Sequence, residues 1–480
     1  MKLTPGVDCS AVEHSGQNIR RALPWLASAW NWLVYTIGTA ALVRMFILNL
    51  SFLFRFKRNI PMSDEWGMFN PLRGLDFHLS TTWVLATTNS HPMAIERLVH
   101  WYSLITTGYD FRIQTLMQLV LLFCAASMVI LFLKEPGSVS SLVMAGLFTS
   151  LQVPNLFWPH QFFFFVHFLL VFWTAYLLAR DDVKLNALGY FIGLVSIIQS
   201  GGALAATLSL IVFGAGYGIQ LTGVRRRIHF AGAVALILGL AAWLLLGTLD
   251  NSFDIAAFPW QLNFWTTFGE LLANGFGTLS AAGTAIGMSL FVILLAAVIY
   301  LVTVTRLFRE STFLDRFGII MSGTGLAIAA SIAASRAHVA GTGFEERYHI
   351  VGYHLLIGLL FVLMAVFQRF SGWSKTAAIV LGTVIFVWSL SWKMDIASAY
   401  KEQDRRQAVN VTCAQNFFRN RSAANCPSGP FNDDIQILAV EKSRELGATW
   451  CFTVMDLPQI PERTNQCYAD LFSAWKPHQP

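Results

Sequence analysis

Charged residues are scarce in this chain of 480 residues: Asp, Glu, Lys and Arg together make up 12%, whereas hydrophobic residues make up 55%. The mean hydropathy is +0.54. A soluble chain of this length would fold as two or three domains, but this composition predicts one large membrane domain with polar flanking segments. No basic stretch is interleaved with aromatic residues, so the net charge of +6 indicates cytoplasmic loops and anionic lipids rather than nucleic acid.

Several enzyme motifs are also missing. The sequence contains no G-x-x-x-x-G-K-[ST] phosphate loop, no H-E-x-x-H zinc motif and no G-x-S-x-G serine elbow. ATP-driven transport within this chain and serine hydrolysis are therefore not expected.

Apolar segments recur along the chain at lengths near the roughly 20 residues that cross a bilayer, and they predict about eleven transmembrane helices. The predicted fold class is therefore an all-α polytopic membrane protein. The segment 185–199 is short and could be re-entrant or broken. The apolar segments are 24–52, 114–133, 139–157, 162–179, 185–199, 203–221, 230–248, 284–305, 317–334, 350–367 and 376–392.

Basic residues in short loops predict the orientation, because Lys and Arg collect on the cytoplasmic side. The basic clusters fall in connections that are all on one side of the membrane if that side is the cytoplasm. With an odd number of spans, the C-terminus then lies outside. Arg55, Lys57 and Arg58 conflict with this orientation, since they follow the first span on the outer side, where they can serve an anionic lipid substrate. The clusters that agree are Arg180 with Lys184, Arg225 to Arg227, Arg306 with Arg309 and Arg316, and Arg369 with Lys375.

The predicted domains follow from these spans. They are a cytoplasmic tail, 1–23, a transmembrane domain, 24–392, whose first outer loop is 55–113, and an extracytoplasmic domain, 393–480. The first apolar run lacks a small-residue cleavage site and is interpreted as an uncleaved signal-anchor.

Four of the six cysteines fall in the polar tail after residue 393. An even set in an exported segment predicts two disulfides, and three pairings are open. A zinc site is the alternative, but the tail has no C-x-x-C spacing and no histidine pair. The four cysteines are Cys413, Cys426, Cys451 and Cys467.

Polar side chains collect in three predicted outer segments, and the most informative are the adjacent acids Asp64 and Glu65 in the first loop. A carboxylate at the membrane surface can deprotonate an acceptor hydroxyl, arginines can hold a phosphate, and Trp with Gln can bind a sugar. Glycosyl transfer from a polyprenyl-phosphate sugar requires this combination. The other candidate site residues are Arg97, Gln152, Trp158, His160, Gln161, Arg336 and Arg347.

Each group also has a plainer interpretation. An acidic pair in a loop is commonly solvated surface. Trp158 and the phenylalanine run 162–165 can form an interfacial aromatic belt. Arg336 and Arg347 can anchor the chain to lipid headgroups.

The order of these features resembles the bacterial polytopic membrane glycosyltransferases of the GT-C structural class, over roughly residues 25–370. The resemblance is carried by short motifs: Asp64-Glu65-Trp66, Asn89-Ser90-His91 with Arg97-Leu98 downstream, the turn Asn155 to Gln161, and Arg347-Tyr348. The branch often has Asn-Glu-His-Arg around its histidine, whereas Ser90 and Pro92 stand at those places here.

The resemblance implies a first outer loop that forms short helices on the bilayer, with Asp64 as general base and Glu65 as second choice. In some members an acid of this motif binds a divalent metal, so Mg²⁺ or Mn²⁺ is an option. Arg97, Arg336, Arg347 and His91 would bind donor phosphate, and the turn residues with Tyr348 would contact sugar or acceptor. The implied location is the inner membrane of a bacterium.

The expected partners are a polyprenyl-phosphate sugar donor, a glycan, lipid or protein acceptor, membrane lipids and, as an option, small membrane proteins of a glycosylation pathway. Three alternatives stay open. A lipid-linked saccharide flippase or transporter would place ionisable residues at mid-membrane. An O-antigen polymerase or ligase would use arginines in late outer loops, and a noncatalytic assembly protein would need none of these clusters.

Overall fold

The structure is a computed structural model. It describes residues 9–57, 81–85, 87–88, 91–107, 111–132, 137–199, 201–246, 257–275, 282–305, 310–338, 345–370 and 395–420.

Helices make up nearly all of the described chain. The one sheet within these ranges is an antiparallel hairpin of β1, Thr87–Thr88, and β2, His91–Pro92. The helices are α1 (Cys9–Phe56), α2 (Thr81–Leu85), α3 (Ala94–Thr107), α4 (Phe111–Phe132), α5 (Gly137–Gly146), α6 (Val153–Phe157), α7 (Phe162–Leu178), α8 (Val183–Ile197), α9 (Gly201–Gln220), α10 (Gly223–Leu246), α11 (Leu262–Asn274), α12 (Gly283–Val304), α13 (Phe313–Arg336), α14 (His349–Phe370) and α15 (Ile396–Asn420).

Eight segments within the described ranges are long and apolar enough to span a membrane, which makes the chain an all-α, multi-pass membrane protein. They are Ser28–Phe56, Phe111–Leu131, Pro159–Leu178, Gly202–Gln220, Gly223–Leu245, Gly283–Val304, Phe313–Arg336 and Glu346–Arg369.

Three of the eleven predicted spans are not among these eight. The segment 139–157 is not one helix, because α5 ends at Gly146 and two short helical turns follow. Thr149 is extended there, and Pro154, which has no N–H to donate, stands at the start of α6. The segment 185–199 is α8, a continuous helix of 15 residues. The segment 376–392 lies outside the described residues.

A network of charges ties together the end of the bundle where the α7–α8 and α12–α13 connections lie. The buried guanidinium of Arg316 donates to the Ala179 carbonyl at 2.9 Å, to Asp181 at 2.9 Å and to the Tyr217 hydroxyl at 3.0 Å. Arg225 also pairs with Asp181, at 2.6 Å. Although partial burial acts in the opposite direction, these two arginines lower the pKa of Asp181 below its ordinary value.

Arg369 at the end of α14 joins the same basic end through Asp315, with a distance of 2.5 Å. Asp315 is also the partner of Thr312 in the capping box that begins α13. Four of the predicted cytoplasmic arginines, Arg180, Arg225, Arg316 and Arg369, therefore lie at one end of the bundle, which we call the basic end. The other end, where the turns 150–161 and 345–348 lie, is called the polar end.

The segment after the predicted last span begins with α15, which packs on α1 at the polar end. The Tyr400 hydroxyl donates to Asn49 Oδ1 at 3.0 Å, and the Tyr400 ring lies 5.6 Å from that of Phe157. Cys413 lies in α15, whereas Cys426, Cys451 and Cys467 lie outside the described residues, so the predicted disulfides stay a prediction.

The short helix α11 ends at the polar end with Asn274 and meets α12 and α14 at pairs of glycines. A Cβ atom on Gly352 of α14 would overlap the backbone of Gly275 and lie 2.7 Å from the Leu271 carbonyl oxygen. A Cβ atom on Gly287 of α12 would likewise overlap the Gly269 carbonyl. Without side chains at these positions, the backbones approach closely, as small residues permit in membrane helices.

Candidate functional site at the polar end

Helix α3 carries two adjacent charged side chains that are almost completely buried. Glu96 is 0% exposed and Arg97 is 1% exposed. The start of α3 is fixed to the end of α8, because the Ala94 N–H donates to the Ile198 carbonyl at 3.2 Å and the Ile95 N–H to Gln199 Oε1 at 2.9 Å. These bonds satisfy two amide groups that have no partner inside the helix.

The carboxylate of Glu96 faces the turn between α6 and α7. His160 Nδ1 lies 3.6 Å from Glu96 Oε1, and the imidazole is itself buried. Trp158 stands next to it, with ring centres 6.0 Å apart. The turn is fixed by Gln118, whose amide donates to the Pro159 carbonyl at 3.1 Å.

The surroundings of α3 favour neutral over charged bases. Burial lowers the pKa of Arg97 from 12.5 to about 10, with the Glu96 carboxylate acting in the opposite direction. Burial also lowers the pKa of His100 from 6.5 to about 4, against the hydrogen bond from Gln114, and the nearby Arg97 charge lowers it further. His100 is therefore neutral at pH 7, while Arg97 keeps its charge.

The turn 150–161 is joined to the segment before α14 by amide side chains. Asn155 Nδ2 donates to Gln152 Oε1 at 3.2 Å and to the Arg347 carbonyl at 3.2 Å. Arg347 in turn pairs with Glu345 at 2.5 Å and places its guanidinium 5.2 Å from the centre of the Tyr348 ring. Two of the predicted outer segments are thus in direct contact.

Helices α11 and α15 also bind the segment 345–348 that precedes α14. Asn274 at the end of α11 donates to the Glu345 carbonyl at 3.1 Å, and His349 Nδ1 lies 3.1 Å from the Asn274 carbonyl. From α15, Arg406 makes two bonds to the Glu346 carboxylate, at 2.9 and 3.1 Å.

The predicted site residues fall into two groups in the structure. Arg97 and His160 come together at Glu96, with Gln161 buried beside His160 in the same turn. Gln152, Arg347 and Tyr348 come together through Asn155. Arg336 is half-buried at the end of α13, and its charge acts on Tyr348 of the second group, although it makes no ion pair within the described ranges. Trp158 is half-buried next to His160.

Three predicted residues are not placed as functional groups. Asp64 and Glu65 lie outside the described residues, so their predicted role as base stays a prediction. The backbone of His91 lies in β2, at the hairpin position paired with Thr88.

Glu96 is the residue that sequence reasoning missed as a candidate, although it precedes the predicted Arg97. The sequence pattern that could have identified Glu96 is the helical spacing of polar residues. These residues are all buried in the structure: Glu96, Arg97, His100 and Ser103. A polar stripe on the buried face of a helix indicates a site rather than a solvated surface.

A buried carboxylate beside an imidazole and a guanidinium can accept a proton, orient a polar ligand or bind an anion through the arginine. Within the described ranges, no group of three or more His, Cys, Asp or Glu side chains is arranged to hold a metal ion. The chain matches no protein-family model, no curated protein and no solved structure.

Proposed function

We propose that this chain is an integral membrane glycosyltransferase of the GT-C type that transfers a sugar from a polyprenyl-phosphate donor to an acceptor at the polar end of the bundle. The observation that supports it is the buried constellation of Glu96, Arg97 and His160 at the end opposite the basic loops. The Arg347-Tyr348 pair lies at the same end, fixed by Asn155. Carboxylate, arginine and amide groups are the types that this transfer requires.

The proposed reaction is a direct displacement at the anomeric carbon. The acceptor hydroxyl oxygen forms the new glycosidic bond, while the bond from the anomeric carbon to the phosphate oxygen breaks and its electron pair leaves with polyprenyl phosphate. The hydroxyl proton passes to a carboxylate, with Asp64 the first candidate, Glu65 the second and Glu96 the third. Arg97, Arg336 and Arg347, with His91, would hold the phosphate through charge-assisted hydrogen bonds.

The orientation proposed for the bundle follows from its charges. The basic end would face the cytoplasm and the polar end the outside, in the inner membrane of a bacterium, as the positive-inside rule favours. Gln152, Trp158, His160, Gln161 and Tyr348 would contact sugar or acceptor. A divalent metal, Mg²⁺ or Mn²⁺, would bind at the acids of the first outer loop if the reaction needs one.

The experiment that tests the proposal is sugar transfer by the purified chain in liposomes with a panel of polyprenyl-phosphate sugars. Wild type is compared with the variants Asp64→Asn, Glu65→Gln and Glu96→Gln, each purified at equal yield and equal thermal midpoint. Loss of the base is expected to lower the rate about 100- to 10,000-fold. Glu310→Gln is the matched control, because it makes the same chemical change at the basic end, where the residue is exposed.

Release of polyprenyl phosphate by wild type, lost in one acid variant and kept in Glu310→Gln, would support the transferase and identify its base. Addition of one sugar per acceptor distinguishes this reaction from a polymerase, which would give a ladder of products. If wild type releases no polyprenyl phosphate from any donor of the panel, the proposal is wrong for those donors.

One observation favours the alternative of a flippase or transporter, namely two imidazoles buried inside the bundle. His167 of α7 and His354 of α14 are 3% and 1% exposed, and their ring centres are 6.1 Å apart. Both nitrogens of His167 and Nε2 of His354 lack a hydrogen-bond partner within the described residues. Buried ionisable groups inside a membrane bundle are typical of translocation pathways. Movement of intact lipid-linked sugar between leaflets, lost in His167→Gln, would favour this function.

A further inference from the structure

Helix α1 carries a charged side chain in the middle of its membrane span. Arg44 is the only charged residue between Ser28 and Phe54, and it is exposed on the surface of the bundle. It makes no ion pair or hydrogen bond within the described part of the chain. An arginine facing hydrocarbon is costly, so a residue in this position normally has a partner.

Neither membrane surface is close to Arg44. The span Ser28–Phe56 is about 42 Å long at 1.5 Å per residue, which exceeds the roughly 30 Å of hydrocarbon, and Arg44 lies two residues from its middle. With the span centred in the bilayer, Arg44 is about 12 Å from the nearer edge of the hydrocarbon. An extended arginine side chain reaches about 6 to 7 Å, which is too short to place the guanidinium among the headgroups at either end. A lipid phosphate at its normal depth therefore does not neutralise this charge.

The surface around Arg44 has the form that suits a second helix. A groove of about 660 Å³ runs beside Arg44, and the described residues that line it belong to α1, among them Thr36, Thr39 and Ala40. Thr36 and Ala40 are small residues four positions apart, the spacing that lets two membrane helices approach closely. The Thr39 hydroxyl is buried and has no hydrogen-bond partner within the described residues.

The acidic residues of the described spans argue against a second copy of this chain as the occupant. Only two acidic residues lie in the eight described spans, and both are already paired: Asp315 with Arg369 and Glu346 with Arg406. The predicted span 376–392 contains no acidic residue either. Two copies of α1 would bring Arg44 against Arg44.

We propose that the α1 surface around Arg44 docks a transmembrane helix of a different membrane protein, one that carries Asp or Glu at mid-bilayer depth. The carboxylate would pair with Arg44, and the small side chains would allow the helix backbones to approach. This proposal is independent of the glycosyltransferase proposal, since no residue of the polar end takes part.

The test uses the full chain in liposomes and three dansyl-labelled peptides, each a polyleucine transmembrane helix without tryptophan whose central residue is Asp, Asn or Leu. Energy transfer from the tryptophans of the chain, of which Trp32 is exposed on α1, reports association. We expect the Asp peptide to bind about tenfold more tightly than the Leu peptide, the size of polar interactions between membrane helices. Arg44→Gln should remove this preference, and Arg55→Gln, at the end of α1, should keep it.

A charge exchange distinguishes pairing from a change in the fold. Arg44→Asp should no longer bind the Asp peptide and should instead bind a peptide with a central Lys. A variant that unfolds would bind neither peptide. Equal binding of the Asp and Leu peptides to wild type would refute the proposal. So would an Asp preference that persists in Arg44→Gln, because the carboxylate would then bind elsewhere. If wild type shows no preference for the Asp peptide but selectively enriches phosphatidylglycerol in its surroundings, the partner of Arg44 is an anionic lipid and the proposal is wrong.

Discussion

The contact between α11 and α14 predicts that adding one methyl group at Gly352 destabilises the membrane domain. A Cβ atom there would overlap the Gly275 backbone and lie 2.7 Å from the Leu271 carbonyl oxygen. These are all backbone atoms, so no side chain can rotate away and the two helices must separate. The same contact supports the site, because Asn274, which precedes Gly275, holds the Glu345 carbonyl.

The expected magnitude follows from two opposing terms. Overpacking of a well-packed interior costs about 1 to 3 kcal/mol. Alanine gains up to about 1 kcal/mol over glycine in a helix. A Cβ atom on Gly352 would lie less than 3.0 Å from three backbone atoms, so the cost lies at the upper end of this range, and for Gly352→Ala we expect a net loss of about 2 kcal/mol. The matched control is Gly216→Ala in α9, where an added Cβ atom meets no atom within 4 Å and only the gain in helix propensity applies.

The measurement is the thermal midpoint in detergent, followed by tryptophan fluorescence and by the loss of the monodisperse peak in size-exclusion chromatography. Gly352→Ala should lower the midpoint by several degrees. Gly216→Ala should leave it unchanged or raise it. Equal midpoints for Gly352→Ala and wild type would refute the close approach of α11 and α14, as would an equal fall in both variants.

Three further changes test other parts of the structure by the same thermal measurement. Because burial lowers the pKa of His100 from 6.5 to about 4, its protonation favours the unfolded chain, so up to about 3 kcal/mol of stability should be lost as the pH falls from 6.5 to 4. His100→Gln should flatten that pH dependence, and an unchanged slope would contradict it. Arg316→Lys keeps the charge but not the planar set of donors, and should cost about 2 kcal/mol, whereas the exposed Arg227→Lys should cost nothing measurable. Tyr400→Phe should cost about 1 kcal/mol and expose α15 to protease sooner, and an unchanged cleavage rate would argue against its contact with Asn49.

Much of the fold follows from local properties of the sequence, and those parts could be predicted. Apolar length alone places the eight described spans, since a bilayer requires about 20 apolar residues and admits mainly helices. The alternation of basic loops correctly places Arg180, Arg225, Arg316 and Arg369 at one end. Apolarity does not distinguish one helix from two, so the interruption near Pro154 was missed.

The candidate site depends on contacts that no local pattern contains. Asn155 meets the Arg347 carbonyl across 192 residues of sequence, and Glu96 meets His160 only because α8 holds the start of α3. Motif reasoning identified Arg97 and His160 by their chemical type and their predicted side of the membrane. It did not identify Glu96, because burial of that carboxylate is a property of the folded bundle.

The contact between Asn49 and Tyr400 also has a consequence for synthesis. Asn49 leaves the ribosome long before Tyr400, and its side-chain nitrogen bonds to the Phe148 carbonyl once α5 has formed. Its side-chain oxygen bonds to Tyr400, which lies 351 residues later. At about 5 to 20 residues per second, that partner arrives roughly 20 to 70 seconds after Asn49. Asn49 therefore gains its last bond only when α15 has been made, so a chain truncated before residue 396 leaves a buried polar atom on α1 that membrane quality control can detect.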